Sequence, residues 1–149
     1  MTYAPIALFT YNRADKTKGV VESLLQNQEA KDSDLFIFSD GPKTEAKTAG
    51  VEENRKYIHT ISGFKNITII EREKNWGLAN SLIAGITEVI NKYGKVIVVE
   101  DDLILSPYFL QFMNEGLEKY KDDDRVGTIC GYVLPVKKVL PETFFLYFM

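Results

Sequence analysis

Apolar residues occur in short uninterrupted runs along the chain, and polar turn residues follow each run. An unbroken run, rather than strict alternation of apolar and polar residues, is typical of a strand in a parallel sheet that helices cover on both faces. We therefore predict buried parallel strands at residues 6–10, 35–39, 67–70 and 96–99, followed by a fifth strand at 126–131.

Helical periodicity separates the predicted strands. The clearest example runs from Leu78 to Tyr93, where apolar residues recur at steps of three and four and Gly94 then supplies a helix stop. Ser106 and Pro107 suit the cap and the first position of a further helix after the fourth strand. Two weaker apolar stripes, at 20–25 and 51–61, occupy the earlier intervals.

This alternation of strands and helices predicts an α/β fold, with a doubly wound, mostly parallel sheet that has helices on both faces. A length of 149 residues suits one domain, so we place no boundary within 1–149. Sheets of this kind bind ligands beyond the carboxyl ends of their strands. The residues that directly follow each strand are therefore the candidates for a functional site.

The apolar run at residues 144–149 is the last segment of the sequence. It is typical of a strand whose continuation and cover are missing. We therefore expect a sequence truncated at its C-terminus, the N-terminal part of a longer protein. The alternative to an enzyme fragment is a noncatalytic module that forms an oligomer through this exposed strand.

The composition of the chain bears on two questions, whether it binds nucleic acid and which cellular compartment it occupies. A formal net charge of -3 gives no general attraction to nucleic acid, so we expect no nucleic-acid partner. The single cysteine, Cys130, has no partner for an internal disulfide and is expected to be a small buried apolar residue. The sequence shows neither a signal peptide nor a membrane-spanning run. We expect a cytoplasmic protein and leave peripheral association with the inner membrane open.

Glu100, Asp101 and Asp102 follow the fourth strand, and their charges repel one another unless a cation or hydrogen bonds offset them. Mg²⁺ and Mn²⁺ take oxygen ligands, commonly one or two carboxylates with phosphate oxygens and water. If strand geometry persists, Glu100 and Asp102 share one side, and Asp101 faces the other side, towards a ribose hydroxyl. A solvated turn is the alternative interpretation, and we adopt it for the later acidic run at 122–124.

Polar residues after the first two strands have a structural and a functional interpretation. Asp40 precedes Gly41 and Pro42, a sequence that is typical of a turn. The functional alternative is that its carboxylate accepts a hydrogen bond from the ring N–H of uracil. Arg13 is a surface charge or a partner for a pyrophosphate. Tyr11 packs beside the strand or stacks on a base.

The third strand leads to Asn75, Trp76 and Gly77 at the start of the clearest helix, where backbone N–H groups favour an anion. We favour core packing over sugar stacking for Trp76. His59, the only histidine, has no ligand partner at a suitable spacing and is interpreted as structural.

Four motifs, taken together and in order, resemble those of the GT-A fold glycosyltransferases of the nucleotide-diphospho-sugar transferase superfamily. The resemblance is closest to family 2-like bacterial sugar transferases and covers residues 6–132. The acidic triplet resembles a Glu-Asp-Asp form of the DxD motif. The motifs are Thr10-Tyr11-Asn12-Arg13, Ser39-Asp40-Gly41-Pro42, Asn75-Trp76-Gly77-Leu78-Ala79-Asn80 and Glu100-Asp101-Asp102-Leu103.

The resemblance implies a metal-dependent, inverting transferase that moves a sugar from a nucleoside-diphosphate donor, a UDP-sugar, to a hydroxyl of a glycan, lipid-linked or protein acceptor. Mn²⁺ or Mg²⁺ would bind Asp102, with Glu100 as a second ligand. The residues expected to bind the nucleotide sugar are Thr10, Tyr11, Asn12, Arg13, Asp40, Asn75, Gly77, Asn80 and Asp101.

The catalytic base remains unknown, and two other functions stay open. In similar enzymes the base lies beyond the fifth strand, where Glu142 is the only carboxylate after Asp124, so we expect this chain to bind the donor but to transfer poorly. A receiver-like Mg²⁺-binding signalling domain carries its acidic pair after the first strand instead of the fourth. A sugar nucleotidyltransferase needs a glycine-rich loop after strand one, and Thr10 to Arg13 contain no glycine.

Overall fold

The structure is a computed structural model that describes residues 2–132. Strands and α-helices alternate along this part of the chain, with short 3-10 turns before β2 and before α2. The strands are β1 (Ile6–Thr10), β2 (Asp34–Ser39), β3 (Asn66–Glu71) and β4 (Ile97–Glu100), and the helices are α1 (Ala14–Leu25), α2 (Thr48–Ile58), α3 (Leu78–Tyr93) and α4 (Phe109–Lys119).

The four strands form one parallel sheet in the order β3-β2-β1-β4. Ile6 of β1 pairs with Leu35 of β2 on one side and with Ile97 of β4 on the other. The chain therefore places β2 and β3 on one side of β1 and then returns to place β4 on the other side. Sheets of this kind bind ligands where such a reversal occurs, which here is at the carboxyl ends of β1 and β4. The predicted α/β fold with a parallel sheet is confirmed.

Helices cover both faces of the sheet, which explains the unbroken apolar runs. Ile6 and Leu8 of β1 enter a core with residues of α1, α2 and α4, whereas Ala7 and Phe9 enter a second core against α3. Gly85 allows α3 to approach closely, because a Cβ at this position would lie 2.8 Å from the ring of Phe9. All of β1 is buried, so its carboxyl end is held rigidly between the two layers.

The predicted fifth strand is wrong, since residues 126–131 form no strand. Ile129 in this segment packs against the α1, α2 and α4 core, where a Cβ on Gly116 would lie 2.9 Å from its Cδ1 atom. Helix α4 thus covers the apolar side chain of Ile129, although this segment pairs with no strand. The expected burial of Cys130 is also wrong, because this side chain is exposed.

Several predictions concern residues 133–149, which lie outside the described part of the chain. They are the apolar run at 144–149, self-association through it, and any role of Glu142. Between residues 2 and 132, every helix is too short or too polar to cross a bilayer.

Candidate functional site

The carboxyl edge of the sheet consists of the segments that directly follow β1, β2, β3 and β4. Parallel pairing of β1 with β4 brings Arg13 next to the acidic triplet. Its Nη2 donates a hydrogen bond to Asp101 Oδ1 and a longer one, 3.3 Å, to Asp102 Oδ2. The bond to Asp101 is the main cause that raises the pKa of Arg13 above its usual value. Arg13 is therefore a fixed positive charge over two carboxylates.

The three acidic side chains differ in exposure. Asp101 is buried, whereas Glu100 and Asp102 are exposed. Asp101 Oδ2 is itself buried and receives no hydrogen bond from any described residue. A buried carboxylate oxygen without a donor is costly, so this atom is suited to a hydroxyl or a cation supplied by a ligand.

The carboxylates suit a hard divalent cation that is shared with a ligand. No three His, Cys, Asp or Glu side chains within residues 2–132 are grouped so as to hold a metal. Mg²⁺ commonly uses one or two carboxylates and takes its other ligands from phosphate and water. Asp102, half exposed at this edge, matches that ligand set.

Asp40, at the end of β2, is buried and accepts four hydrogen bonds. Its Oδ1 receives the N–H groups of Gly41 at 3.0 Å and Trp76 at 2.9 Å. Its Oδ2 receives the N–H of Gly77 at 2.9 Å and the side-chain amide of Asn75 at 3.0 Å. The carboxylate thus joins the segment after β2 to the segment before α3.

The same two segments touch through their backbones. A Cβ on Gly41 would lie 2.6 Å from the carbonyl carbon of Lys74, so only glycine fits at this position. The side-chain amide of Asn75 also donates to the carbonyl of Gly41 at 2.9 Å. The glycine that sequence analysis interpreted as a turn residue therefore permits a close crossing of two strand ends.

Thr10 and Tyr11 make contacts that stabilise the end of β1, and Asn12 follows them in the bend before α1. Thr10 Oγ1 accepts a hydrogen bond from the buried Asn54 of α2 at 3.1 Å. The hydroxyl of Tyr11 accepts the backbone N–H of Lys43 at 3.0 Å, which ties it to the segment after β2. Thr10, Tyr11 and Asn12 therefore lie at the carboxyl end of β1, as the sequence predicted.

The expected core position of Trp76 is wrong, because this side chain is 48% exposed. Arg72 takes the buried position, with its Cζ 3.8 Å from the centroid of the Trp76 ring. Arg72 Nη1 also donates to Ser81 Oγ at 3.1 Å. The sequence offers one signal for Arg72, a cation that directly follows the third strand, and it was not among the predicted site residues.

The start of α3 completes the edge. Gly77 has φ +77°, a left-handed conformation that glycine adopts without strain. The side-chain amide of Asn80 donates to the carbonyl of Trp76 at 3.0 Å, which closes the segment onto the helix. The N–H groups of the first helical turn begin here, as an anion site requires.

Other charged residues form surface pairs that do not involve Arg13, Asp40, Asp101 or Asp102. His59 Nε2 lies 2.9 Å from Glu71 Oε1 on the exposed side of α2 and β3. Asp123 pairs with Arg125 at 2.8 Å, and hydrogen bonds from this arginine lower the pKa of Asp123. The 122–124 run is thus placed in an exposed loop after α4.

Comparisons with known proteins agree with this architecture. Residues 6–139 match the sequence profile of glycosyl transferase family 2. Among solved structures, the chain is similar to S. aureus TarS, with 14% identity and a TM-score of 0.53 over 80% of this chain and 20% of that one. It is also similar to the mannosyltransferase PcManGT from Pyrobaculum calidifontis in complex with GDP-Man and Mn²⁺, with 19% identity and a TM-score of 0.56 over 85% of this chain and 35% of that one.

These structural similarities establish the fold and no more. A search of curated proteins gave no significant match. The chain spans between a fifth and about a third of the length of the solved structures that it resembles. The family match covers most of the chain and distinguishes it from receiver domains and nucleotidyltransferases.

Proposed function

Because this chain belongs to glycosyl transferase family 2, we propose that it binds a nucleoside-diphosphate sugar at the carboxyl edge of its sheet. The bound sugar is then transferred to a hydroxyl of a glycan, lipid-linked or protein acceptor. The arrangement of Arg13, Asp101 and Asp102 carries the proposal, since it combines a cation with two carboxylates at this edge.

In this proposal each of the three side chains has its own task. The buried Oδ2 of Asp101 accepts a hydrogen bond from a ribose hydroxyl, which gives that atom the donor it lacks among the described residues. Asp102 would hold Mn²⁺ or Mg²⁺, with Glu100 as the second ligand on the exposed side. Arg13 pairs with the diphosphate through charge-assisted hydrogen bonds.

The ion, when bound, neutralises the charge that develops on the departing diphosphate. The N–H groups at the start of α3, beyond Gly77, offer further donors to an anion. Exposed Trp76 provides an aromatic surface beside them for stacking on a ring of the donor. Inversion at the anomeric carbon also needs a base at the acceptor hydroxyl, and we leave that base unassigned.

UDP is the first nucleotide to test, and GDP is the second because PcManGT was solved with GDP-Man. Thermal unfolding of the full chain should be followed with UDP, GDP or ADP in the presence of Mn²⁺. A ligand at a hundred times its Kd stabilises the folded state by about 2.7 kcal/mol. We expect UDP or GDP to raise Tm by several degrees, with no comparable rise from ADP. If no nucleoside diphosphate raises Tm, the proposed donor site is wrong.

A further inference from the structure

We propose that Arg55 of α2 is a positioning residue for donor binding, which holds the ends of β2 and β3 in place and acts through the residues that follow them. The inference rests on the proposed function, because it concerns how the same edge is kept ready for a nucleotide. Arg55 lies on a helix and not at a strand end, so the sequence did not place it among the site residues.

Arg55 contacts the ends of two neighbouring strands at once. Its Nε donates a hydrogen bond to Ser39 Oγ at 3.3 Å, and its Nη2 donates to the carbonyl oxygen of Arg72 at 2.7 Å. Its Nη1 lies 3.8 Å from Glu71 Oε2, and only 16% of the side chain is exposed. The planar guanidinium therefore bridges the end of β2 and the end of β3, which a lysine ammonium, a point charge, does not reproduce.

The bridged positions lead directly into the proposed donor site. Asp40 follows Ser39, the last residue of β2, and Arg72 follows Glu71, the last residue of β3. The backbone N–H of Arg72 also donates to the carbonyl of Ser39 at 3.0 Å. A displacement of either strand end would therefore move Asp40 and also Arg72, whose Cζ lies 3.8 Å from the centroid of the Trp76 ring.

The same helix also contacts the end of β1. Asn54, the neighbour of Arg55 on α2, is buried and donates to Thr10 Oγ1 at 3.1 Å. Gly50, one turn earlier, lies close to Asn12, because a Cβ at this position would be 3.0 Å from the carbonyl oxygen of that residue. One helix therefore touches the ends of three adjacent strands at the edge where the donor is proposed to bind.

The contacts of Arg55 favour positioning over a direct role in binding. Each of its three guanidinium nitrogens lies near a protein oxygen, and most of the side chain is buried. Substitution should therefore change donor affinity through the arrangement of the strand ends. A residue that acted by its charge alone would be replaced by lysine without loss of affinity.

Arg55→Met tests the inference, because it removes all three contacts and keeps a long unbranched side chain. In the free variant, backbone hydrogen exchange at Arg72 should accelerate, since its N–H bonds Ser39 at the bridged point. The fluorescence of Trp76, the only tryptophan, should shift as the Arg72 guanidinium moves. Calorimetric titration with Mn²⁺, at a temperature where the variant is folded, should show a loss of UDP affinity of about two- to thirtyfold, the range for residues that act through a contact network.

Asn114→Ala is the control for a general loss of stability. Asn114 is buried on α4, and its Oδ1 accepts the backbone N–H of Ala4, which precedes β1 and so lies at the opposite edge of the sheet. This variant should be destabilised and should still bind UDP as the wild type does.

Arg55→Lys is the control for charge, and it is the second test should Arg55→Met fail to fold. Lysine keeps a positive charge beside Glu71 but cannot bridge three acceptors in one plane. Its affinity for UDP should remain below that of the wild type, and exchange at Arg72 should remain faster.

Wild-type UDP affinity in folded Arg55→Met or in Arg55→Lys would overturn the inference, and so would an equal loss in Asn114→Ala. Failure of the proposed function looks different. In that case the wild-type chain binds no nucleoside diphosphate with Mn²⁺, while the free variants still decide whether Arg55 holds the strand ends. Unchanged exchange at Arg72 in both Arg55 variants would show that it does not.

Discussion

Arg13, at the end of β1, forms an ion pair with Asp101, 88 residues further along the chain at the end of β4. The pair exists because β4 returns beside β1 in the parallel sheet. Arg13 also lies 3.3 Å from Asp102, so one guanidinium offsets part of the charge of both carboxylates. A divalent cation bound to Asp102 must therefore share these carboxylates with Arg13.

Arg13→Gln should strengthen the binding of Mn²⁺ in the absence of nucleotide and weaken the binding of UDP. The substitution leaves the carboxylates without their positive neighbour and removes a partner of the diphosphate. Because Arg13 is half exposed, the ion pair contributes about 1 kcal/mol at most, which corresponds to a gain of up to about fivefold in Mn²⁺ affinity.

Electron paramagnetic resonance of free Mn²⁺ measures that affinity directly. Arg125→Gln is the control, since Arg125 pairs with Asp123 in the loop after α4 and should change neither affinity. Equal Mn²⁺ binding by the wild-type chain and Arg13→Gln would show that Arg13 and the ion do not share the carboxylates.

Gly41→Ala should destabilise the fold by about 1–3 kcal/mol, the range for overpacking at a tight contact. The new Cβ would lie 2.6 Å from the backbone of Lys74, and backbone atoms have little room to shift. Gly127→Ala is the control, because a Cβ there meets no described atom within 4 Å. Urea denaturation compares the two variants, and equal midpoints would contradict the close crossing.

Asn114→Ala should lower the free energy of unfolding by about 1–3 kcal/mol. Asn114 is buried on α4, and its Oδ1 accepts the backbone N–H of Ala4 at 2.8 Å. Alanine would leave that buried N–H without an acceptor. Glu115→Ala, on the exposed side of the same helix, should change stability by less than about 0.5 kcal/mol. Thermal or urea unfolding compares the stabilities of the two variants. Similar losses of stability in both would refute the structural role of Asn114.

Sequence alone predicted the parallel sheet because burial between two helical layers leaves a local signature, the unbroken apolar run of β1. It also placed Arg13 and Asp101 at strand ends. It did not predict their contact, which depends on the return of β4 to the side of β1. Pairing order is a property of the whole sheet and is not encoded in either segment.

The wrong predictions have a common physical origin. Ile129 is apolar, but its pattern does not reveal whether a sheet or a helix covers it, and here it packs without strand pairing. Trp76 was expected in the core, whereas Arg72 is buried against its ring. The sequence also did not predict the four donors of Asp40, which come mainly from a segment more than thirty residues away. Such partners are set by tertiary geometry.

Calorimetric titration of UDP into the 149-residue chain tests the central proposal most directly. We expect binding in the presence of Mn²⁺, and an affinity at least about tenfold lower with a chelator or in Asp102→Ala, a loss of roughly 1.4 kcal/mol. Asp124→Ala, in the exposed loop after α4, should bind as the wild type does. Equal affinity for UDP with Mn²⁺, with chelator and in Asp102→Ala would contradict a dication shared between Asp102 and the diphosphate.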